Sequence, residues 1–347
     1  MLIAPGFTIA LFLPTVKWVS AFALLTRCVA RWIKRKVNSN KDPATAILWY
    51  NGDTDHQATR WAQKVDRMAS SQAFPSLDGF EPTRKTLQLY SRVVSAVMRA
   101  HADSHPRWWH ISLKVVPDGL VTDEIPLPTG GLLTLKLDLR NHEIVLVDQG
   151  QVLRAFDMTL GTPASAMGDA VLSAVTELGL TGPFTRDKFE NDQARDYDPV
   201  QAQRFHDVLD HVDRIFKLHR ASLPGEVSPV QLWPHGFDLA FEWFGSRVQS
   251  SEEHGQVQSI PAQLNLGFYP GDPASSPYFY SNPWPFETEF LLDKPLPAQA
   301  HWHTEGWQGT MLPYAALVDE PNAEEHLLAY ARAVYELARP TLLEGWK

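Results

Sequence analysis

Segments with helical and with strand-like hydrophobic periodicity come in blocks along this chain, and their order is the feature that most constrains its fold. A helical block ends before Pro106, a block of strand-like segments follows it, and two helical segments, more strands and a last helical segment come next. Grouped runs of this kind favour α+β, whereas strict alternation would favour a parallel sheet. We therefore predict an α+β fold of antiparallel sheets packed with several amphipathic helices.

Four segments carry apolar residues at the three- and four-residue spacing of an amphipathic helix. They lie at about 42–104, where the apolar stripe falls at 87–98, and at 164–178, 199–219 and 323–338. Before the third of them, Asp198 is placed to cap the helix and Pro199 suits its first turn.

The predicted strands are separated by connections rich in glycine, proline and asparagine, which favours antiparallel pairing. They lie at 107–116, 132–139, 143–147, 230–244, 263–268, 278–280, 289–292 and 300–304.

Charge divides the chain into two unequal parts. Residues 1–41 contain seven lysines and arginines and no acid, so the remainder carries a net charge of about −16 although the whole chain of 347 residues carries −9. We predict a basic apolar leader at 1–40, which is an anchor, a targeting segment or a disordered extension. Residues 41–347 are then one α+β domain, or two packed lobes at 41–195 and 196–347.

The leader decides the expected location. Pro14, Lys17 and Arg27 interrupt its apolar run, which handicaps a membrane-spanning helix. We expect a cytoplasmic protein whose membrane contact, if it has one, is confined to residues 1–36. An acidic body without a basic stripe also disfavours nucleic acid as a partner. The oligomeric state has no signal in the sequence.

Several kinds of chemistry are disfavoured at this stage. The one cysteine, Cys28, lies in the leader, so thiolate metal sites and cysteine nucleophiles are excluded from the body. The chain has no GxSxG, GxxxxGK[ST] or GxGxxG motif. Histidine and carboxylate side chains are therefore the metal ligands to consider.

A run of polar residues near the C-terminus predicts a metal site. In an extended segment, His301, His303 and Glu305 would project from one face, and two imidazoles with a carboxylate can hold Zn, Fe or Mn. The same pattern is also typical of the outward face of a half-exposed strand.

A second run, residues 232–244, alternates in polarity. Alternation places His235 with Phe237 on one face, and Asp238 with Glu242 on the other. The carboxylate face could hold a ligand or could simply be solvated. His235 would be a hydrogen-bonded core histidine unless Gly236 forms a bulge that redirects it.

The stretch 267–286 interleaves seven aromatic residues with five prolines. Prolines oppose central-strand pairing, so we interpret this stretch as a stiff aromatic loop that covers either a pocket or the core.

Three functions follow from these candidates, and the first is a metal-dependent enzyme of hydrolase or oxygenase type. His301, His303 and Glu305 would bind a divalent metal together with His235 or Asp238, and Glu242 would be the general base. The second is a metal-free carbohydrate-active or carbohydrate-binding protein, with paired carboxylates from among Asp238, Glu242 and Glu305 as acid and base and aromatic rings as sugar platforms. The third is a non-catalytic binding module. Each is compatible with a small-molecule ligand.

Several segments in fixed order are similar to those of a known family. They are Trp108-Trp109, Tyr197-Asp198-Pro199, Ser228-Pro229-Val230, Phe237-Asp238-Leu239-Ala240, the 267–285 aromatic stretch, Leu312-Pro313-Tyr314 and Tyr335 with Gly345-Trp346. Over about residues 45–347 the chain resembles a mainly bacterial family of uncharacterised proteins, catalogued as a domain of unknown function. The resemblance implies no activity. Members of that family differ where this chain has Pro234-His235-Gly236, whereas the position of Asp238 is the steadier one.

Overall fold

The computed structural model describes residues 73–253, 256–297 and 299–346. The predicted leader, residues 1–40, and the beginning of the predicted domain lie outside this part of the chain. The boundary at residue 41 and the division into lobes therefore stay predictions.

The described residues form two antiparallel sheets and five α-helices, which confirms the predicted α+β class. The helices are α1 (Glu81–His101), α2 (Ala164–Glu177), α3 (Pro199–Ala221), α4 (Thr288–Leu291) and α5 (Ala323–Ala338). The helical prediction for 42–104 is wrong for the described residues 73–80, because α1 begins only at Glu81, with Pro82 in its first turn. Asp198 caps α3 as predicted, because its carboxylate accepts hydrogen bonds from the backbone nitrogens of Val200 (2.8 Å) and Gln201 (3.3 Å).

The first sheet has the order β1-β2-β4-β5-β6, with β3 paired to β4. Its strands are β1 (Lys114–Val116), β2 (Gly119–Val121), β3 (Ile125–Pro126), β4 (Leu132–Asp138), β5 (Glu143–Asp148) and β6 (Gln151–Asp157). Alternate leucines of β4 are fully buried, as their period of two requires.

The second sheet has the order β12-β13-β10-β9-β8-β7, with β11 paired to β9. Its strands are β7 (Gln231–Trp233), β8 (Asp238–Glu253), β9 (Gln256–Tyr269), β10 (Tyr278–Ser281), β11 (Pro283–Trp284), β12 (His301–His303) and β13 (Gly309–Pro313).

One face of the second sheet packs against helices. Phe241, Phe268 and Phe279 are buried on this face, and Phe216 of α3 meets Phe241 and Phe279 edge-on at centroid distances of 5.8 and 6.3 Å. A single hydrophobic cluster joins these residues to the leucines of the first sheet. The opposite face of the second sheet carries the half-buried residues Asp238, Glu242, Tyr278 and Tyr280, and we call it the polar face.

The predicted strand at 230–244 is wrong in one respect, because it is two strands joined by a turn. β7 ends at Trp233, residues 234–237 form the turn, and β8 begins at Asp238. Phe237 has a φ of 60°, in the left-handed region that breaks an extended chain.

Two other predicted strands also differ from the structure. At 107–116, Trp108 has a φ of 59° and Trp109–Ile111 form a 3-10 helix, so only Lys114–Val116 pair as a strand. Residues 289–292, predicted as a strand, lie in and just after the short helix α4.

The aromatic stretch at 267–286 is not a loop throughout. Residues 278–281 form β10, which lies in the interior of the sheet between β9 and β13. The prolines flank this strand at Pro277 and Pro283, so they leave its ladder intact.

Within the described residues, no helix has the length and apolar character needed to cross a membrane.

Candidate functional site

A tyrosine and an aspartate from different strands meet on the polar face. Tyr280 of β10 pairs in register with Gly267 of β9, and its hydroxyl donates a hydrogen bond to Oδ2 of Asp238 at the start of β8. A Cβ atom on Gly267 would lie 2.2 Å from Cζ of Tyr280. The tyrosine ring therefore lies directly over the glycine, and the missing side chain is what lets it reach Asp238.

Burial sets the protonation of this pair. It raises the pKa of the Asp238 carboxyl, and the hydrogen bond from Tyr280 opposes this shift without cancelling it. Burial also raises the pKa of the Tyr280 phenol well above its ordinary value, and the neighbouring Asp238 raises it further. Such a pair presents a neutral phenol and a carboxyl group that gains a proton more readily than an exposed aspartate.

The turn before β8 is held from α1. The Arg92 guanidinium donates to the carbonyl oxygens of Pro234 (3.1 Å) and His235 (2.6 Å), and the Gln88 amide donates to the same oxygen of His235 (2.8 Å). Phe237, in its left-handed conformation, is fully buried on Phe205 with ring centroids 5.5 Å apart.

These contacts determine where Asp238 points. Its carboxylate leans back over Gly236, where a Cβ atom would lie 2.4 Å from Oδ1. A non-glycine residue held at positive φ costs free energy and persists only when its surroundings enforce it. The anchored turn therefore fixes the direction of the Asp238 side chain.

Aromatic rings extend from this pair across the sheet. Tyr278 lies 5.3 Å from Tyr269 and 6.4 Å from Trp307 between ring centroids, and its ring is inclined by only 16° to that of Trp307. Trp307 also contacts Tyr280 at 6.4 Å and His303 at 4.3 Å. We call Tyr269, Tyr278, Tyr280, Trp307 and His303 the aromatic row.

A second polar cluster lies at the Tyr269 end of the row. The Tyr269 hydroxyl donates to Asp272 at 2.6 Å, and this bond, followed by backbone hydrogen bonds and the charge of Arg84, lowers the pKa of Asp272. Arg84 is 5 % exposed and donates to Gln88 at 3.0 Å. Its Nε is buried without a partner among the described residues.

Glu242 lies on the same face as Asp238, as predicted, four positions further along β8. Burial raises the pKa of Glu242, and the charge of Arg107 opposes the shift. Four residues along a strand span about 13 Å, and Asp238 leans toward Gly236 rather than along the strand. Glycoside hydrolases need carboxyl groups about 5–9.5 Å apart. The Cα span exceeds this range and disfavours Asp238 with Glu242 as acid and base, and the pairing stays a prediction.

The predicted metal ligands are divided between distant strands. His301 and His303 lie on β12 at one edge of the sheet, whereas Asp238 lies on β8, with β13, β10 and β9 between them. Four strand spacings amount to about 19 Å, far beyond the reach of one metal ion. Among the described residues, no three histidine, cysteine, aspartate or glutamate side chains are grouped so that they could hold a metal ion.

The individual histidines have other surroundings. His303 Nε2 donates to the backbone carbonyl of Glu305 at 2.7 Å, and Glu305 itself lies exposed beyond the end of β12. His301 is exposed on the edge strand. His235 is exposed in the turn, so its prediction as a core histidine is wrong, because the turn at 234–237 replaces the continuous strand assumed for it.

Sequence reasoning missed four residues that build the site: Tyr280, Gly267, Trp307 and Arg92. The alternation of Tyr278, Phe279 and Tyr280 would have placed both tyrosines on one face, had the stretch been treated as a strand. Arg92 has no such signal, because its acceptors are backbone carbonyls 96 to 143 positions later in the chain.

Comparisons with known proteins find a family but no characterised relative. No curated protein matches the chain. No solved structure matches it either. A family model described as a family of unknown function, DUF5996, matches residues 74–346. The match therefore begins at residue 74, whereas the resemblance seen in the sequence was expected to begin at about residue 45. Because this match covers most of the chain, the protein belongs to that family of unknown function.

Proposed function

We propose that the polar face of the second sheet binds a neutral, hydroxylated small molecule of the sugar class. The observation that carries this proposal is the Tyr280–Asp238 pair, fixed over Gly267 and continuous with the aromatic row. Small-molecule sites usually combine aromatic walls with a few polar groups that are held in place.

The aromatic row supplies the apolar part of such a site. Tyr278 and Trp307 are nearly parallel and half-buried, so part of each ring is available for contact. The C–H faces of a sugar ring pack on aromatic rings, and the rings lose little conformational entropy because they have few rotatable bonds.

The polar groups match hydroxyl groups rather than charges. Asp238 accepts or donates according to its protonation, and the phenols of Tyr278 and Tyr280 stay neutral because burial raises the pKa of each. Hydroxyl groups of a ligand can donate to Asp238 and to the phenol oxygen of Tyr280, whose own proton is donated to Asp238, and can donate to or accept from Tyr278. The wide spacing of Asp238 and Glu242 supports binding rather than hydrolysis of a glycosidic bond by that pair.

Three variants of the full chain test the proposal on an array of neutral and acidic oligosaccharides, with calorimetry on every glycan that binds. We expect Trp307→Ala to weaken binding at least about tenfold, which corresponds to 1.4 kcal/mol. Asp238→Asn keeps an acceptor for Tyr280 but loses the carboxylate, and we expect it to weaken binding as well. Trp346→Ala is the matched control, because Trp346 is half-buried against Phe290, outside the aromatic row.

The result that supports the proposal is glycan binding that is lost in Trp307→Ala and retained in Trp346→Ala. The proposal would be overturned if the protein bound none of the oligosaccharides on the array. Equal affinities in the two tryptophan variants would also overturn it, because the ligand would then bind somewhere else.

A further inference from the structure

A separate cavity of about 190 Å³ lies between α1 and the turn before β8. Its floor is apolar, with Ala96 and Ile111 buried and Pro234 forming one side. Arg92, Arg99 and Lys188 also line it, and so does His235. The described lining residues include no aspartate or glutamate.

The charges around this cavity are poorly balanced. Arg92 directs its guanidinium at three backbone carbonyls, those of Pro234, His235 and Lys188, and has no carboxylate partner among the described residues. Arg99, seven positions along α1 on the same face, is exposed and lies 5.1 Å above the ring of Trp108. It forms no salt bridge in the described part of the chain, although its charge, after that of Lys188, lowers the pKa of Asp187. Lys188 pairs with the exposed Asp187 at 2.7 Å.

Half-buried cations are usually paired with an anion, and among the three cations that line the cavity this applies to Arg92, because Arg99 and Lys188 are exposed. Here backbone carbonyls satisfy the hydrogen-bond donors of Arg92 but leave its positive charge uncompensated. An anion in the cavity would be near both Arg92 and Arg99, because both arginines line it. We propose that this cavity binds a small organic anion, a carboxylate with a compact apolar body, whose charge faces the two arginines and whose body lies on Ala96 and Ile111.

The size of the cavity agrees with such a ligand. An apolar cavity of about 150 Å³ holds a benzene molecule, so a cavity of about 190 Å³ has room for a benzene ring with a carboxylate group. Inorganic phosphate would meet the arginines but would leave the apolar floor uncovered. The ligand class therefore follows from the floor as much as from the charges.

The test is calorimetric titration of the full-length protein with benzoate at low ionic strength, with benzamide and inorganic phosphate as comparison probes. We expect saturable one-to-one binding of benzoate, with benzamide and phosphate each at least fivefold weaker. Arg99→Gln should weaken benzoate binding at least fivefold, because it removes one of the two arginine charges near the anion. The substitution leaves the fold intact, because Arg99 holds no part of the backbone in place. Ala96→Leu should abolish binding, because the added atoms fill the cavity.

Arg332→Gln is the matched control, since Arg332 is an exposed arginine on α5 and does not line the cavity. Lys188→Gln provides a second charge variant that leaves α1 unchanged. Failure of benzoate to bind would overturn the proposal, and so would equal affinity in Ala96→Leu and Arg332→Gln. Benzamide binding as tightly as benzoate would refute the requirement for charge, and phosphate binding as tightly would refute the requirement for an apolar body.

Discussion

The contact between Tyr280 and Gly267 permits a quantitative test of how the site is built. In Gly267→Ala, the new Cβ atom would lie 2.2 Å from Cζ and 2.5 Å from the hydroxyl oxygen of Tyr280. These distances are too short for any pair of non-bonded atoms, so the ring must move away from the sheet. The ring cannot move without losing its hydrogen bond to Asp238.

The expected cost has two unfavourable parts and one favourable part. Overpacking costs about 1–3 kcal/mol, and loss of a hydrogen bond to a charged or ionisable partner costs about 1.5–3 kcal/mol. Alanine is favoured over glycine in a strand by about 0.5–1 kcal/mol, and the φ of Gly267 is not in the left-handed region, so the backbone accepts alanine. Gly267→Ala should therefore destabilise the protein by about 2–5 kcal/mol.

The control is the same substitution in a Tyr280→Ala background. With the ring removed, Gly267→Ala should be neutral or should stabilise by up to about 1 kcal/mol. Urea denaturation of the four proteins closes the double-mutant cycle, and we expect a coupling free energy of at least about 2 kcal/mol. Costs that agree within about 0.5 kcal/mol in the two backgrounds would refute the account of Gly267 as the residue that makes room for Tyr280.

Three further predictions concern the scaffold around the site. Asp198→Ala should lower the free energy of unfolding by about 1 kcal/mol, because two backbone N–H groups of α3 lose their acceptor, and chemical denaturation measures this change. Arg92→Met should destabilise the protein by about 2–4 kcal/mol and speed hydrogen exchange at the Phe237 amide. The control Arg140→Met removes one exposed hydrogen bond to the Pro117 carbonyl and should cost less than about 1 kcal/mol. Equal effects of the two substitutions would contradict the anchoring of the turn by Arg92. His219 is buried, and this lowers its pKa from 6.5 to about 4. Between these two pH values the imidazole is protonated in the unfolded chain but neutral in the folded protein. The free energy of unfolding should thus fall by about 3 kcal/mol as the pH drops from about 6.5 to 4, and His219→Gln should lack this loss in denaturation experiments across that pH range.

Local patterns predicted the four longer helices and part of each sheet, but no predicted strand covers β2, β3, β6, β11 or β13. The apolar stripe of α5 predicted both of its ends, and the Asp-Pro pair at 198–199 predicted the cap of α3, because capping depends on residues adjacent in sequence. The predictions failed at Trp108 and Phe237, where bulky residues adopt positive φ. Tertiary packing enforces these conformations, and the preferences of the residues themselves disfavour them.

The candidate site was only partly predictable for a related reason. Alternation correctly placed Asp238 and Glu242 on one face of β8, because the period of a strand is fixed by its covalent geometry. It could not tell that β12 lies four strands away from β8, because strand order depends on long-range pairing. The hypothesis that joined His301 and His303 to Asp238 in one metal site assumed a proximity that the sheet order does not provide.

By itself, the sequence determined the α+β class, the faces of the amphipathic helices and the absence of thiol chemistry from residues 42–347. These properties follow from periodicity and composition, which act over a few neighbouring residues. The tertiary structure decided which polar groups meet. Tyr280 reaches Asp238 because β9 presents a glycine between them, and Arg92 holds the turn because α1 packs beside it. Such contacts join residues that are distant in sequence, so they exist only once the sheet has formed.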